Sequence, residues 1–400
     1  IWGEETIDNN AFADNNDGGD TEIDLDLAYI EMKEFLYQPL TLIVGRQNLR
    51  YGNALVIGDP DTNQNASVKV PTNMADLSLR KSFDAVRAIL DYSPYTIDLI
   101  YAAIDENTTN QKDDQNLWAG YATYDWASYN GVTEGYVLYM NQATDSVLGT
   151  SQVVNPTGEL IENQSKVFTL GSRLQYDPND NWTLGLEGAY QFGDIRMVDA
   201  TGAILADGTA NINEYQQLSA FAAQLITQYR FLNDYNAMLQ LEYTYLSGDD
   251  DIFDEAHTAW QPMFEDQSAG EIINILFNNS GTQCVTLRGS FMPREDITLG
   301  GLYTWLTLAE KVNYDEDTAA VGDVRVAGYI PAYGPASGNT YAIEGNSNYL
   351  GSEVDAYMLY DYTEDVQIKL TGAAFIPGSW FHSENNTVAY AMKAGVSVDF

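Results

Sequence analysis

Val388-Ala389-Tyr390-Ala391-Met392-Lys393-Ala394-Gly395-Val396-Ser397-Val398-Asp399-Phe400 closes the chain, and its reading decides the fold. Val388, Tyr390, Met392, Ala394, Val396, Val398 and Phe400 alternate with Ala389, Ala391, Lys393, Gly395, Ser397 and Asp399, so a strand here has one apolar face and one small or charged face. A lipid-facing wall needs that division: apolar side chains point outward while the backbone hydrogen bonds are satisfied between strands. One such strand fits a soluble sandwich equally well. Repetition decides between the two.

The pattern recurs upstream. Strands are expected near 22–35, from Leu40, near 82–91 and 95–105 around Ser93-Pro94, and near 116–125 and 132–141 around Tyr129-Asn130-Gly131. The clearest hairpin sets Phe168, Leu170, Leu174 and Tyr176 against Thr169, Arg173 and Gln175. It turns over Asp177 to Asn181 and returns with Trp182, Leu184, Leu186 and Tyr190 against Thr183, Glu187 and Gln191. Further pairs fall near 216–230 and 235–247, 284–291 and 297–308, and 352–362 and 365–375. Connections alternate between tight turns and long Asp/Asn/Gly-rich excursions. The expectation is an all-β, transmembrane antiparallel β-barrel forming one domain over 1–400, with short periplasmic turns and long acidic extracellular loops. About fifteen strands are recognisable, whereas bacterial single-chain barrels use even numbers, so about 16 to 18 are expected in the complete wall, one or more preceding Ile1. The alternative is a soluble acidic β-protein.

Composition narrows the function. The formal charge is -40, yet 45% of residues are apolar and 28 are tyrosines, so the chain folds rather than remaining a disordered polyanion. Its general surface disfavours nucleic acid and enriches cations near it. Cys284 is the single cysteine, which excludes an internal disulfide, and His257 and His382 are the only histidines, too few for a histidine metal site. No apolar run is long enough for a transmembrane helix. Ser383 beside His382 has no catalytic spacing, and acids are so abundant that no carboxylate pair stands out, so an enzyme is not expected.

In a barrel the inward faces and inward-folded loops carry function. Placing the branched and aromatic faces toward lipid assigns Asp98, Arg173, Glu187, Glu242, Arg288, Asp355, Lys369 and Lys393 to the pore lining, with Glu22, Asp24, Asp26, Glu353, Asp399 and either Asp84 or Arg87. Both signs occur. Opposed patches would set up a transverse field that orients solutes; paired across neighbouring strands, the same residues would instead stiffen the wall. Loops 47–81 and 248–282 or 309–350 are expected to fold inward. The acidic loops offer Asp17, Asp20, Asp59, Asp61, Asp249, Asp251 and Asp254 as hard-oxygen ligands suited to Ca2+, with a solvated repulsive outer face as the alternative. No other cofactor is expected.

The segment from Leu27 through Gly58 carries Tyr29, Glu31, Val44-Gly45-Arg46-Gln47, Leu49, Tyr51-Gly52 and Ile57-Gly58. Together with Phe83, Asp84 and Arg87 it resembles the early strands of the alginate-export family of outer-membrane porins. The resemblance implies a barrel that passes an anionic polysaccharide or small organic solutes through a narrow, arginine-rich lumen. It also implies that Arg46, Arg50, Asp84 and Arg87 form a pore-side group. The function expected is passive diffusion of small hydrophilic or charged solutes across a Gram-negative outer membrane. The alternatives are export of an acidic, alginate-like polysaccharide and a mainly structural surface role. Expected partners are outer-membrane lipid, lipopolysaccharide, small solutes and the barrel-assembly machinery, with oligomeric state open.

Overall fold

The computed structural model describes residues 27–59, 82–105, 115–143, 164–196, 215–249, 256–277, 279–310, 347–381 and 386–398. Its strands are β1 (Ala28–Met32), β2 (Leu40–Asn48), β3 (Ser82–Asp91), β4 (Tyr95–Asp105), β5 (Gln115–Trp126), β6 (Gly131–Ala143), β7 (Gln164–Asn179) and β8 (Trp182–Arg196). They continue with β9 (Tyr215–Arg230), β10 (Met238–Leu246), the two-residue β11 (Ala256–His257), β12 (Thr282–Arg294), β13 (Ile297–Leu308), β14 (Tyr349–Asp361), β15 (Val366–Pro377) and β16 (Ala389–Val398). A one-turn helix, α1, covers Ile273–Leu276. No helix among the described residues is long and apolar enough to cross a membrane.

Every strand except β11 pairs antiparallel with its neighbour in chain order, giving one meandering sheet from β1 to β16; β11 lies off this path, parallel to β9. The connections at one end are two to seven residues long, and the long excursions all lie at the other end. The alternation read from the sequence is therefore the architecture, and the strand bounds at 82–91, 95–105 and 297–308 agree to the residue. Others extend further than their apolar pattern, because ladder hydrogen bonds continue past the last lipid-compatible side chain. β7, for example, runs over Gln164–Asn179.

Period two divides the sheet into an open and a covered face. On β8, Leu186 is 54% exposed and its neighbour Glu187 1%. On the open face an aromatic ladder crosses five strands in register through Tyr101, Trp118, Tyr139, Phe168 and Phe192, with ring centroids 4.6 to 5.4 Å apart. Nearer the short turns, Tyr95 meets Tyr124 at 4.8 Å, Tyr124 meets Trp126 at 5.4 Å and Trp182 meets Tyr229 at 4.8 Å. Trp118 to Trp126 and Phe168 to Tyr176 each span the same strand length, about 26 Å at roughly 3.3 Å per residue. A strand tilt of about 40° reduces that to about 20 Å, close to the apolar band of an outer-membrane wall. The apolar stretch between aromatic rows thus fits the membrane.

The covered face does not meet empty space. Residues 49–58 and 256–277 leave the long-connection end and pack onto it, burying Leu49, Leu55, Val56 and Ile57 from the first and Trp260, Met263 and Phe264 from the second. These form one cluster with Phe83, Ile100, Leu117, Leu138, Val167 and Leu218 of the wall. The two segments also pair with each other: Ile57 bridges Phe264 in parallel, Phe264 N donates to Val56 O at 3.0 Å, and Asp266 N donates to Ala54 O at 3.0 Å. Covered-face side chains stand roughly perpendicular to a sheet. Yet between Gln267 and Glu271 the second segment reaches Gln224 on β9, Arg288 on β12, Asp355 on β14 and Lys393 on β16. Flat, β9 and β16 would lie roughly 29 Å apart at about 4.8 Å per strand. Contact from so short a segment requires the sheet to curl around it.

Candidate functional site

The covered face gathers Arg50, Arg87, Arg173, Arg288 and Lys393, each against an acid. On β3, Arg87 Nε donates to Asp98 Oδ2 of β4 at 3.0 Å, with a second contact from Nη2. On β7, Arg173 Nη1 donates to Glu134 of β6 at 2.7 Å, and Nη2 to Gln175 at 2.5 Å. Arg288 of β12 lies 3.7 Å from Glu242 of β10 and donates to the Ser268 carbonyl. Lys393 of β16 donates to Glu271 of the second segment at 3.3 Å, and Arg50 of the first pairs with Asp266 of the second. Asp98, Glu187, Glu242, Glu353 and Asp355 are all buried. A buried carboxylate is retained only where hydrogen bonds or opposite charge offset its lost hydration.

A tyrosine–carboxylate contact and a row of three packed tyrosines hold the first segment. The Tyr51 hydroxyl donates to Asp98 Oδ2 at 2.7 Å, and the Arg87 guanidinium lies 5.3 Å from the Tyr51 ring centre. Burial, and then the Asp98 charge, push the Tyr51 hydroxyl well above its ordinary value, so it stays a donor. The Tyr51 ring lies against Tyr121, which stacks on Tyr136 at 5.6 Å with the planes 3° apart; Tyr136 donates to Glu187 at 2.9 Å. Gly52 takes φ +58°, and a Cβ there would stand 3.0 Å from Glu187 Oε2, so the turn that seats Tyr51 favours glycine. Asn53 N donates to Glu187 at 3.3 Å and its amide to Gln224 at 3.2 Å.

Residues 266–273 form a strap across the other half of the wall. Glu353 accepts from Ile272 N and Ile273 N, both at 2.7 Å, and Asp355 accepts from Glu271 N at 3.1 Å. Thr304 donates to the Ala269 carbonyl, and Gln267 donates to Asn53 O at 2.7 Å, tying the strap to the first segment. At the end of the strap Ile272 and Ile273, with Phe277 beyond them, pack with Leu306, Leu350, Phe375 and Trp380. A cavity remains between strap and wall, with Glu242, Thr244, Cys284, Glu265, Gln267 and Trp260 in its lining.

Arg87, Asp98, Arg173, Glu187, Glu242, Arg288 and Asp355 thus share the covered face, with Lys369 and Lys393 on the same face by register, since Lys369 opposes Gly395 and Lys393 opposes Thr371. Arg50 reaches it from the first segment. Arg46 and Asp84 do not belong to the group. They form a bidentate pair at 3.0 and 3.1 Å, but they share the parity of Val44 and Val86, which are 39% and 40% exposed on the open face, whereas Gln47, Phe83 and Ala85 point to the covered one. Strict period two overrides the expected pore-side placement. Glu22, Asp24, Asp26 and Asp399 lie outside the described residues, as do Asp17, Asp20, Asp61, Asp251 and Asp254. Of the remaining expected Ca2+ ligands, Asp59 N donates to Phe264 O at 2.9 Å and Asp249 accepts from Thr258 N at 3.3 Å. No metal-holding group of His, Cys, Asp and Glu occurs among the described residues. Sequence reading missed Glu134, Tyr136, Asp266 and Glu271. Parity marks Glu134 and Tyr136 as inward, but nothing local marks the two acids that sit on folded-in loops.

An apolar open face banded by aromatic rows, and a covered face carrying paired charges around two folded-in segments, define a barrel-like membrane protein. A family model described as alginate export matches residues 4–394, and the chain belongs to that family. It is a protein of the Gram-negative outer membrane, in a family that is not catalytic. No curated protein matches the sequence. Among solved structures it is similar to the ferric-catecholate import receptor Fiu of E. coli K12 in its open form, at 12% identity over 78% of this chain and 54% of that one, with a TM-score of 0.36. It is likewise similar to the siderophore receptor PiuA of Acinetobacter baumannii, at 12% identity over 80% and 53%, with a TM-score of 0.39. The chain spans about half the length of these two receptors. The toluene transporter TodX of P. putida matches at 12% identity over 73% and 75%, with a TM-score of 0.30.

Proposed function

We propose that the protein is an outer-membrane conduit for carboxylate-bearing saccharides, moving outward as its family description implies, along a path lined by Arg87, Arg173, Arg288, Lys393 and Arg50. The observation that carries the reading is the pairing of each of these cations with a protein carboxylate. The -40 charge repels a polyanion from the general surface. Inside, cations already balanced by acids can exchange partners: a uronate carboxylate takes the place of Asp98, Glu134 or Glu242 at its guanidinium, then leaves when the protein acid returns. Each contact forms a charge-assisted bond at the expense of another. The net binding is weak enough for passage, which conduction requires. A saccharide chain further requires the two folded-in segments to shift against the apolar packing of Leu55, Ile57, Trp260 and Phe264 on the wall.

The second reading is passive diffusion of small hydrophilic or charged solutes, favoured by the dense packing of 49–58 and 256–277 against the wall. Planar-bilayer recordings of the full chain separate the two. Oligouronates added on the short-turn side are expected to give transient current blocks that shorten in Arg87→Gln and Arg173→Gln, and deletion of the gene in a producing cell is expected to leave polymer in the periplasm. Steady conductance without blocks, together with unchanged polymer secretion, would overturn the saccharide reading in favour of small solutes.

A further inference from the structure

We infer that Lys369 and Lys393 form a carboxylate-accepting site on the covered face of β15 and β16, and that occupation of this site loosens the strap through Glu271. Register supplies the geometry. Lys369 lies opposite Gly395 and Lys393 opposite Thr371, so the two lysines are diagonal neighbours on one face. Such neighbours lie roughly 7 to 8 Å apart, within reach of long side chains. Two flexible ammonium groups can converge on one carboxylate from that spacing. The face beside them is open, because a Cβ built on Gly395 meets nothing within 4 Å.

Lys369 differs from the other cations of this face. Arg50, Arg87, Arg173, Arg288 and Lys393 each have an acid within ion-pair distance, whereas Lys369 is exposed and makes no ion pair among the described residues. A lysine with no ion-pair partner among the described residues offers a contact to an incoming carboxylate. Lys393 supplies the second contact and the coupling. Its partner Glu271 sits on the strap at 3.3 Å, with the two side chains 48% and 29% exposed, so the pair is accessible to a competing carboxylate. A solute that takes Lys393 releases Glu271. The strap then keeps Glu353 and Asp355 but loses its tie to β16.

The inference rests on the carboxylate-conduit reading, and the experiment distinguishes failure of the one from failure of the other. The full chain in planar bilayers is titrated with glucuronate, with acetate, and with glucose as the neutral control, for the unaltered protein, Lys369→Gln/Lys393→Gln and Glu271→Gln. For the double variant the concentration of either carboxylate that half-alters the current is expected to rise at least about tenfold, as loss of two charge-assisted contacts requires. Glu271→Gln is expected to lower it by freeing Lys393, and glucose is expected to act alike on all three proteins. Equal responses of the unaltered and double-variant channels to both carboxylates would overturn the lysine site and leave the conduit reading standing. A lysine-dependent response to acetate without one to glucuronate would keep the site and overturn the saccharide. No response to either would overturn both.

Discussion

Glu353 lies directly beneath Gly270: a Cβ at position 270 would stand 2.5 Å from its carboxyl carbon and 2.6 Å from Oε2. The missing side chain lets a buried carboxylate of β14 tuck under the strap and accept the amides of Ile272 and Ile273. Wall and strap are fitted to each other at this point. The fit makes the strap separable from the wall in experiment.

Gly270→Ala is expected to displace Glu353 and weaken strap docking by about 1 to 3 kcal/mol, the usual cost of overpacking. Single-channel conductance should rise while far-UV circular dichroism stays that of the unaltered sheet. Unchanged conductance would show that the strap does not constrict the path.

Arg173 and Arg46 have the same chemistry on opposite faces. Arg173→Gln is expected to shift the reversal potential in a salt gradient toward cation preference, because it removes a positive charge from the covered face. Arg46→Gln is expected to leave the reversal potential unchanged. A shift of equal size in both would contradict the face assignment drawn from register.

Tyr51 anchors the first segment through Asp98. Tyr51→Phe removes a hydrogen bond to a charged group, worth about 1.5 to 3 kcal/mol, and should expose residues 49–58 to proteolysis while the strands stay protected. Because the docked hydroxyl titrates above its ordinary value, its contribution is complete below about pH 10 and falls at higher pH. Protection of the segment should follow that course in the unaltered protein and be flat across it in Tyr51→Phe.

Leu186 tests the membrane placement. Leu186→Arg puts a charge on the open face between the aromatic rows and should cost about 2 to 4 kcal/mol of membrane stability. Heat-modifiable migration of the folded protein after reconstitution reads the loss. If Leu186→Arg reconstitutes like the unaltered chain, lipid does not cover this face.

Strand positions, the direction of each face and the separation of short from long connections were legible in the sequence because all three follow from period two, which is local. Phe168 and Thr169 alone tell which way β7 faces. The same rule places Arg46 beside Val44 on the open face, and the expectation of a pore-side Arg46 arose from resemblance set above periodicity. Parity likewise brings Asp98, Arg173, Glu187, Glu242 and Asp355 to one side. It is silent about partners.

The sequence by itself determined a wall: alternating side chains, an apolar outer band, and Asp98, Arg173, Glu187, Glu242 and Asp355 on the other face, because a strand's backbone geometry converts order along the chain into sides of a sheet. Only the tertiary structure decided what fills the concavity. Asp266 and Glu271 look like any other loop acids, yet the first meets Arg50 across the two segments and the second meets Lys393 across the wall. Such contacts join residues 216 and 122 positions apart, and they arise when the sheet curls and brings distant strands within reach of one short strap. Nothing in local alternation encodes that distance.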